Sequence, residues 1–540
     1  MYREAQKELT LVLLAAALVL FASVVCNRLS ARVGMPVLLA FIFLGMIFGV
    51  DGPVGIAFDN YAVTEQVATV ALLFIMFYGG FGTNWRAARP VAAPSILLST
   101  AGVAATALLT GVFCRFALGM RMTEGLLVGA VLGSTDAASV FSILRARRLA
   151  LKENTASMLE IESGSNDPCA YMMTALVLSA MQGGFSVGGA LFLLLRQVGL
   201  GLALGAGIGL AAIRLLRRLG TDSGGFDMVF VVATAVLAYA LPAALGGNGY
   251  LSVYLAGILL GNSDIRNKKQ LVPFFDGVTS LCQLVLFFLL GLLCTPHRLP
   301  AIAGQALAIS LFLLLAARPA AVFLLLAPFK ASTGQKLLVS WSGLRGAASI
   351  VFAVMCGAGV MDRDLFHITF FVVLVSISLQ GTLLPWAAKK LDMIDTDADA
   401  DALRVFTDYT ENVPVQFIQF TMTLEHPWSG RALREVVLPP GTILVSLRRG
   451  ERTLVPDGST VLRRGDELIL CAHAPAQTEG LHLVEHRVRR RELEQGARVC
   501  DLPRRPGTVI MLVQRGEDIL IPDGSTVLRP GDVLVLHEET

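Results

Sequence analysis

The chain has 540 residues, 54% of them hydrophobic and 16% charged, with a formal net charge of +3. That composition excludes an ordinary water-soluble enzyme, and so small a net charge gives no basis for nucleic-acid binding. From Glu8 to about Leu391, apolar runs of roughly 18–25 residues recur, each long enough to cross a bilayer core. From Asp392 onward the chain is polar and mixed in charge, with no such run.

The first run, Leu9 to Val25, follows Arg3 and Lys7. No small-residue cleavage site leads into a hydrophilic start, so it reads as an anchored helix rather than a secretory signal. Thirteen candidate spans centre near residues 17, 42, 73, 105, 133, 169, 204, 235, 254, 283, 314, 347 and 378. Alternate loops between them carry sixteen basic residues, from Arg28 and Arg32 to Lys330 and Lys336. The intervening loops hold Arg115, Arg121, Arg298 and Arg363. By the positive-inside rule the N-terminus is outside, and Lys389, Lys390 and the polar tail are cytoplasmic.

Two spans are interrupted alike. Near 133 the chain reads Gly133-Ser134-Thr135-Asp136-Ala137-Ala138-Ser139, and near 347 it reads Gly343-Leu344-Arg345-Gly346-Ala347-Ala348-Ser349. They are the fifth and twelfth spans, hence each fifth in a six-span half if the seventh is a linker. Paired broken helices at matching positions point to a transporter built from inverted repeats. Breaking a helix frees backbone carbonyls and N–H groups at membrane depth. Small residues alone would also serve close helix packing; Asp136 and Arg345, one charge in each break, favour function.

The most informative stretch is Glu160-Ile161-Glu162-Ser163-Gly164-Ser165-Asn166-Asp167-Pro168, which runs on into apolar Cys169 to Gln182. A charge at bilayer depth costs about 2.5–3.5 kcal/mol even on lenient insertion scales, and ion pathways are the usual reason for one. Asp167 is the expected site of competition between a transported cation and a proton. The alternative is a capping carboxylate on a helix that starts at Pro168. Eight cysteines without close pairing and seven histidines without a ligand cluster argue against a disulfide framework or an enzyme.

The tail repeats. Leu454 to Leu470 returns as Leu520 to Leu536 at an offset of 66, and Pro440-Gly441-Thr442 returns as Pro506-Gly507-Thr508. Each copy reads as a small β-rich unit, with Arg449-Gly450 as a hairpin turn. The expected organisation is therefore a membrane domain at 1–391, a linker at 392–415, and two tail copies at 416–475 and 476–540, which the resemblance given next makes an exchange domain and regulatory copies.

These motifs resemble one family. Ser134-Thr135-Asp136, Glu162 to Asp167, Gly247-Asn248-Gly249-Tyr250-Leu251, Tyr254-Leu255-Ala256-Gly257 and Gly343-Leu344-Arg345-Gly346 resemble the monovalent cation:proton antiporters, specifically the electroneutral bacterial sodium–proton and potassium–proton exchangers. The tail resembles the C-terminal domain of regulators of potassium conductance, in two copies. The resemblance implies an all-α polytopic membrane protein of about 13 transmembrane helices, in two inverted six-helix repeats with two broken helices. A small α+β, β-rich cytoplasmic tail completes it, and the location implied is the bacterial inner membrane.

The resemblance also implies roles. Asp167 binds cation or proton beside Asp136, and Asn166 takes the place of a second aspartate found in electrogenic relatives. Thr135 and Ser163 supply further oxygen ligands for the monovalent cation. Glu162 forms a structural ion pair with Arg345. In Phe77-Tyr78-Gly79-Gly80, tyrosine stands where relatives often carry an acid. Arg318-Pro319 also sits in an apolar run; Arg318 either snorkels to the interface or acts directly. No cofactor is expected. Membrane lipid, a second copy of the chain and a small tail ligand, a cyclic dinucleotide being the family's candidate, are the implied partners. Potassium is favoured over sodium on the strength of the tail. A tail-gated cation channel and a membrane-anchored sensor are the readings of other classes; the channel lacks a selectivity-filter run.

Overall fold

In the computed structural model the chain divides into two compact units, Met1–Glu411 and Asn412–Thr540. The structure describes residues 10, 14, 17–25 and 37–395, apart from 148, 184–185, 220–223, 266–267, 358–359 and 362–363. In the tail it describes 415–538, apart from 423–425, 427, 439–441, 451, 455, 474–482, 489–497, 500–507, 516–517, 521 and 523–525. Most of the expected linker, several of the basic loop residues (Arg28, Arg32, Arg148, Arg266 and Arg363) and both Pro-Gly pairs lie outside the described residues.

The membrane unit is helical. Its helices are α1 (Val37–Phe48), α2 (Tyr61–Gly82), α3 (Arg89–Leu118), α4 (Met122–Val131), α5 (Ala137–Ala146), α6 (Thr155–Met181) and α7 (Val187–Leu219). They continue as α8 (Gly224–Ala244), α9 (Gly249–Gly261), α10 (Lys268–Leu293), α11 (Pro296–Phe329), α12 (Thr333–Trp341), α13 (Ala347–Met355) and α14 (Leu365–Lys390). Among the described residues, seven helices are long and apolar enough to cross a membrane: α2, α3, α7, α8, α10, α11 and α14. Residues 17–25 of the first run are helical as well.

Side-chain caps set several helix starts. Asn60 accepts the Val63 N–H of α2 at 3.0 Å, Ser332 accepts from Gln335 of α12 at 3.0 Å, and Asp364 accepts from His367 of α14 at 3.1 Å. Close backbone approach sets the packing of α2 on α9. A β carbon at Gly80 would strike the Tyr254 carbonyl, and one at Gly257 would strike the Phe77 carbonyl. Small residues are what allow helices in lipid to come this near. Arg196, inside α7, reaches the 245–248 turn, where its Nε donates to the Gly246 carbonyl at 3.1 Å. It thus adds a charge to the set of loops poor in basic residues.

The two interruptions are real breaks. Residues 132–136 separate α4 from α5, and 342–346 separate α12 from α13. The other acidic stretch behaves differently. α6 begins at Thr155 and runs through Pro168 without stopping, so Asp167 lies mid-helix and the capping alternative is set aside. Beyond α14 the chain turns back on the α5–α6 loop. Ile394 bridges Leu151 in antiparallel fashion, Lys152 N–H donates to the Met393 carbonyl at 2.9 Å, and Asp395 N–H donates to Ala150 at 2.9 Å.

The tail holds two four-stranded antiparallel sheets. The first comprises β1 (Val415–Thr421), β2 (Thr442–Arg449), β3 (Arg452–Leu454) and β4 (Glu467–His473) in the order β1-β4-β2-β3. The second comprises β5 (Leu483–Arg487), β6 (Thr508–Arg515), β7 (Asp518–Leu520) and β8 (Val533–Glu538) in the order β5-β8-β6-β7. The sequence repeat is a structural one. Register shifts at Leu444/Ser446 and Ile510/Leu512 correspond at the same offset of 66. In the first copy the β2–β3 hairpin turns at Gly450, whose φ of +59° suits glycine.

One ion pair recurs in each copy. Arg449 grips buried Asp466 through two bonds of 2.7 Å, and Arg515 grips Asp532 at 2.9 and 2.7 Å. Burial alone would raise the Asp466 pKa, but the Arg449 hydrogen bonds and the Arg463 N–H outweigh it and leave the carboxyl below its ordinary value. A carboxyl that titrates lower when folded contributes stability above its unfolded pKa, about 3.9, and loses it as pH falls through the folded value. Asp466→Asn is therefore expected to cost about 1.5–3 kcal/mol at pH 7. The difference from wild type should shrink below pH about 4. Denaturation followed by fluorescence of Trp428, in the first tail copy, measures this; equal midpoints at pH 7 would refute it.

Candidate functional site

The site forms where the two breaks cross. The Asp136 N–H donates to the Leu344 carbonyl at 2.7 Å, tying one interrupted segment to the other. The first break leaves two half-helix ends with unpaired backbone groups and partial charges, and each end is met by a side chain of opposite sign. At the start of α5, Asp136 accepts the Ser139 N–H at 3.1 Å and the Ser139 hydroxyl. At the end of α4, the buried Arg345 guanidinium donates to the carbonyls of Leu132 and Ser134, the latter at 3.1 Å. Arg345 is itself held through its backbone N–H, which donates to Ser376 Oγ at 3.0 Å.

Helix α6 lies against these breaks. The Ser163 hydroxyl donates to the Thr135 carbonyl at 2.7 Å and accepts the Ala137 N–H at 2.9 Å, stitching both sides of the first break. Fully buried Asn166 donates through Nδ2 to Thr135 Oγ1. Asp167, one residue on, accepts a hydrogen bond from the Ser134 hydroxyl. Pro168 removes an N–H from this turn of the helix, and its own carbonyl accepts from Asn248 Nδ2 at 3.0 Å.

A cavity of about 170 Å³ opens here. Asp136, Asp167 and Glu160 line it with Ser134, Thr135 and Ser163, and no basic residue is among its described lining. On α6 the lining residues Glu160, Ser163, Gly164 and Asp167 fall at i, i+3, i+4 and i+7, one face of the helix. Gly346 closes the far wall. A β carbon there would overlap the Asp136 carboxylate, although the glycine's φ of −126° is open to any residue.

Of the expected site residues, the structure brings Asp167, Asp136, Thr135 and Ser163 to one cavity. Asn166 is placed behind it, as a buttress on Thr135. The expected ion pair is corrected. Glu162 pairs with Arg318 of α11, Nη1 to Oε1 at 2.6 Å with both side chains buried. Arg345 turns instead to carbonyls that a broken helix cannot satisfy. Arg318, 4% exposed, does not snorkel. Tyr78 is not among the lining residues; its hydroxyl donates to Asp276 Oδ1 at 3.3 Å. Ser134, Glu160 and Gln283 were not singled out as site residues. Ser134 stood inside the motif beside Asp136 and Glu160 stood two turns from Asp167, whereas nothing in the sequence marked Gln283.

Residues 16–390 match the transmembrane sodium/hydrogen exchanger family, and residues 417–477 and 496–536 match the TrkA-C domain. A K(+)/H(+) antiporter NhaP2 of Shewanella sp. (strain ANA-3) is 38% identical over 85% of this chain and 80% of its own length. The K(+)/H(+) antiporter NhaP of Alkalimonas amylolytica is 34% identical over 86% of this chain and 82% of its own. The sodium proton antiporter MjNhaP1 of Methanocaldococcus jannaschii shares the fold, with a TM-score of 0.62 at 22% identity, covering 70% of this chain and 99% of that one.

The corrected pair is testable by a double-mutant cycle. Removing either partner strands a buried charge, at about 3–5 kcal/mol. Glu162→Ala and Arg318→Ala together should therefore cost clearly less than the sum of the two, whereas Glu162→Ala and Arg345→Ala, which share no ion pair, should show a smaller coupling. Thermal unfolding in detergent reads the difference, and coupling to Arg345 alone would reverse the assignment.

Proposed function

The chain belongs to the sodium/hydrogen exchanger family and is a cation/proton antiporter rather than an enzyme; from there we propose that potassium is its preferred cation and competes with a proton for Asp167. The observation that carries the competition is the cavity where Asp136, Asp167 and Glu160 gather with Ser134, Thr135 and Ser163 and no basic residue is found among the described lining. Oxygen donors suit hard alkali cations, and a cleft of one sign concentrates the opposite charge. Asp167 is the group that changes partner. Asp136 and Ser163 hold the breaks in place around it, and Thr135 and Ser134 add oxygens.

Charge bookkeeping supports one-for-one exchange. Around the breaks stand five charged side chains, Arg318 paired with Glu162, Arg345 on the Leu132 and Ser134 carbonyls, Asp136 and Asp167, with Glu160 seven residues from Asp167 on α6. A single monovalent ion on Asp167, proton or metal, brings these five groups to neutrality. The empty site keeps one uncompensated negative charge, which is costly to carry through a low-dielectric barrier. Asn166, neutral where electrogenic relatives have a second acid, keeps the count at one.

Potassium is supported by the two relatives named as K(+)/H(+) antiporters. Their matches cover 85% and 86% of this chain, more than the unit Met1–Glu411 of 540 residues, and so run into the tail. The chain sits in the bacterial inner membrane with its N-terminus outside and its tail cytoplasmic, as a homodimer. The tail adjusts exchange in response to a small ligand, through the segment 393–395, which is bonded to the loop between α5 and α6. Those helices carry Asp136 at the head of one and Asp167 within the other.

Two sets of experiments bear on this. In inverted vesicles with dye-reported proton movement, driven in turn by potassium, sodium and rubidium, Asp167→Asn should abolish exchange in a protein that still folds. Asp136→Ala should lower apparent cation affinity at least tenfold. Retained pH-dependent exchange in Asp167→Asn sinks the reading, and sodium outperforming potassium sinks the cation assignment. For the tail, a chain ending after Asp395 should still exchange, with altered pH or cation dependence. Asp395→Pro in the full chain removes the N–H that bonds Ala150 while suiting extended backbone at Ile394, and should reproduce that altered dependence. Wild-type behaviour in both would leave the tail a passive support.

A further inference from the structure

We propose that the Tyr254 hydroxyl is a further oxygen ligand of the transported cation, alongside Asp167 in the same cavity. The proposal rests on Asp167 being the exchange site and adds to it a residue from a different helix. Tyr254, in α9, lines the cavity together with Gly164 and Asp167 of α6. Its side chain is buried, and its hydroxyl has no hydrogen-bond partner in the protein. Buried phenols ordinarily find a partner, because a stranded hydroxyl loses its hydration without compensation. Ser165 and Thr83 stand beside this one without meeting it in hydrogen-bond geometry. The Thr83 hydroxyl donates instead to the Gly79 carbonyl at 2.9 Å.

Helix α6 makes the room for this hydroxyl. A β carbon at Gly164 would overlap the Tyr254 ring and its oxygen, so the bare glycine lets the tip of the side chain rest on the lining face of the helix. Gly164 and Asp167 are three residues apart on that face, hence about 4.5 Å along the axis. Two oxygens on opposite sides of a calcium ion stand about 5 Å apart. Potassium is the larger ion, so one ion between phenol and carboxylate can touch both. A hydroxyl is a neutral oxygen donor of the kind hard cations take, and it leaves the charge count of the site unchanged. The rigid ring, set against Gly164, holds its oxygen in place before the ion arrives, so binding has little ordering left to do. Were Tyr254 only filling space, phenylalanine would fill it as well and without a stranded oxygen.

Tyr254→Phe separates the two roles, since it keeps the ring and removes the oxygen. In inverted vesicles, at ionic strength held constant with N-methylglucamine chloride, its KM for potassium should rise about tenfold. In detergent, its unfolding midpoint without potassium should equal or exceed that of wild type, because a stranded polar atom is gone. The upward shift that potassium gives wild type should shrink in the variant; a space-filling residue would move neither KM nor that shift. Gly164→Ala, which presses the same oxygen off the lining face, should raise KM in parallel, and an unchanged KM there tells against the ligand. A wild-type KM and wild-type stabilisation by potassium in Tyr254→Phe, in a preparation where Asp167→Asn is inactive, overturn the role of Tyr254 alone. So does lower turnover at unchanged KM, which marks a gating residue. Exchange in Asp167→Asn overturns the reading beneath it.

Discussion

Two helices are cut at the depth where a membrane protein can least afford loose backbone groups, and the structure depends on how those cut ends are answered. Lipid supplies no hydrogen bonds, so each freed carbonyl and N–H needs a partner within the protein. Arg345, from one break, takes the carbonyls of Leu132 and Ser134 at the other. Asp136 caps α5 with its carboxylate and, through its N–H, takes the Leu344 carbonyl. The crossing is thus reciprocal, each segment satisfying the other's ends. Two formal charges persist in the membrane because each faces a partial charge of opposite sign.

Around that crossing the acids divide by task. Glu162 is neutralised by Arg318 and locks α6 to α11. Asp136 is committed to a helix end. Asp167 has a single hydroxyl partner, Ser134, and an open cavity in front of it. In the proposed exchange, that leaves one carboxylate underdetermined among others that are fixed. The hydroxyls of Ser163 and Ser139 do the fixing without adding charge, so the electrostatic balance rests on the ionisable groups alone.

Much of this was legible in the sequence, because burying charge in lipid is costly enough to leave few explanations for it. Both breaks, the acidic stretch of α6 and the β-rich repeat in the tail followed from that cost and from an offset of 66 residues. The partner of Glu162 did not. Arg345 and Arg318 are both single arginines in apolar runs, and only the three-dimensional path of the cut helix shows that Arg345 is already claimed by carbonyls. Periodicity also could not show that α6 passes through Pro168 intact: a proline after an aspartate reads locally as a helix start. Gln283 is an ordinary residue in an apolar run, and its place at the cavity wall is purely tertiary.

The contact between Gly346 and Asp136 carries a consequence for how this protein can change over time. Nothing in the backbone at 346 demands glycine; the demand comes from the volume of a carboxylate borne by a different helix. A larger residue at 346 becomes tolerable only when the side chain at 136 shrinks or retreats. A bulky variant at 346 therefore has its first suppressor at 136, although that suppressor gives up the carboxylate that caps α5.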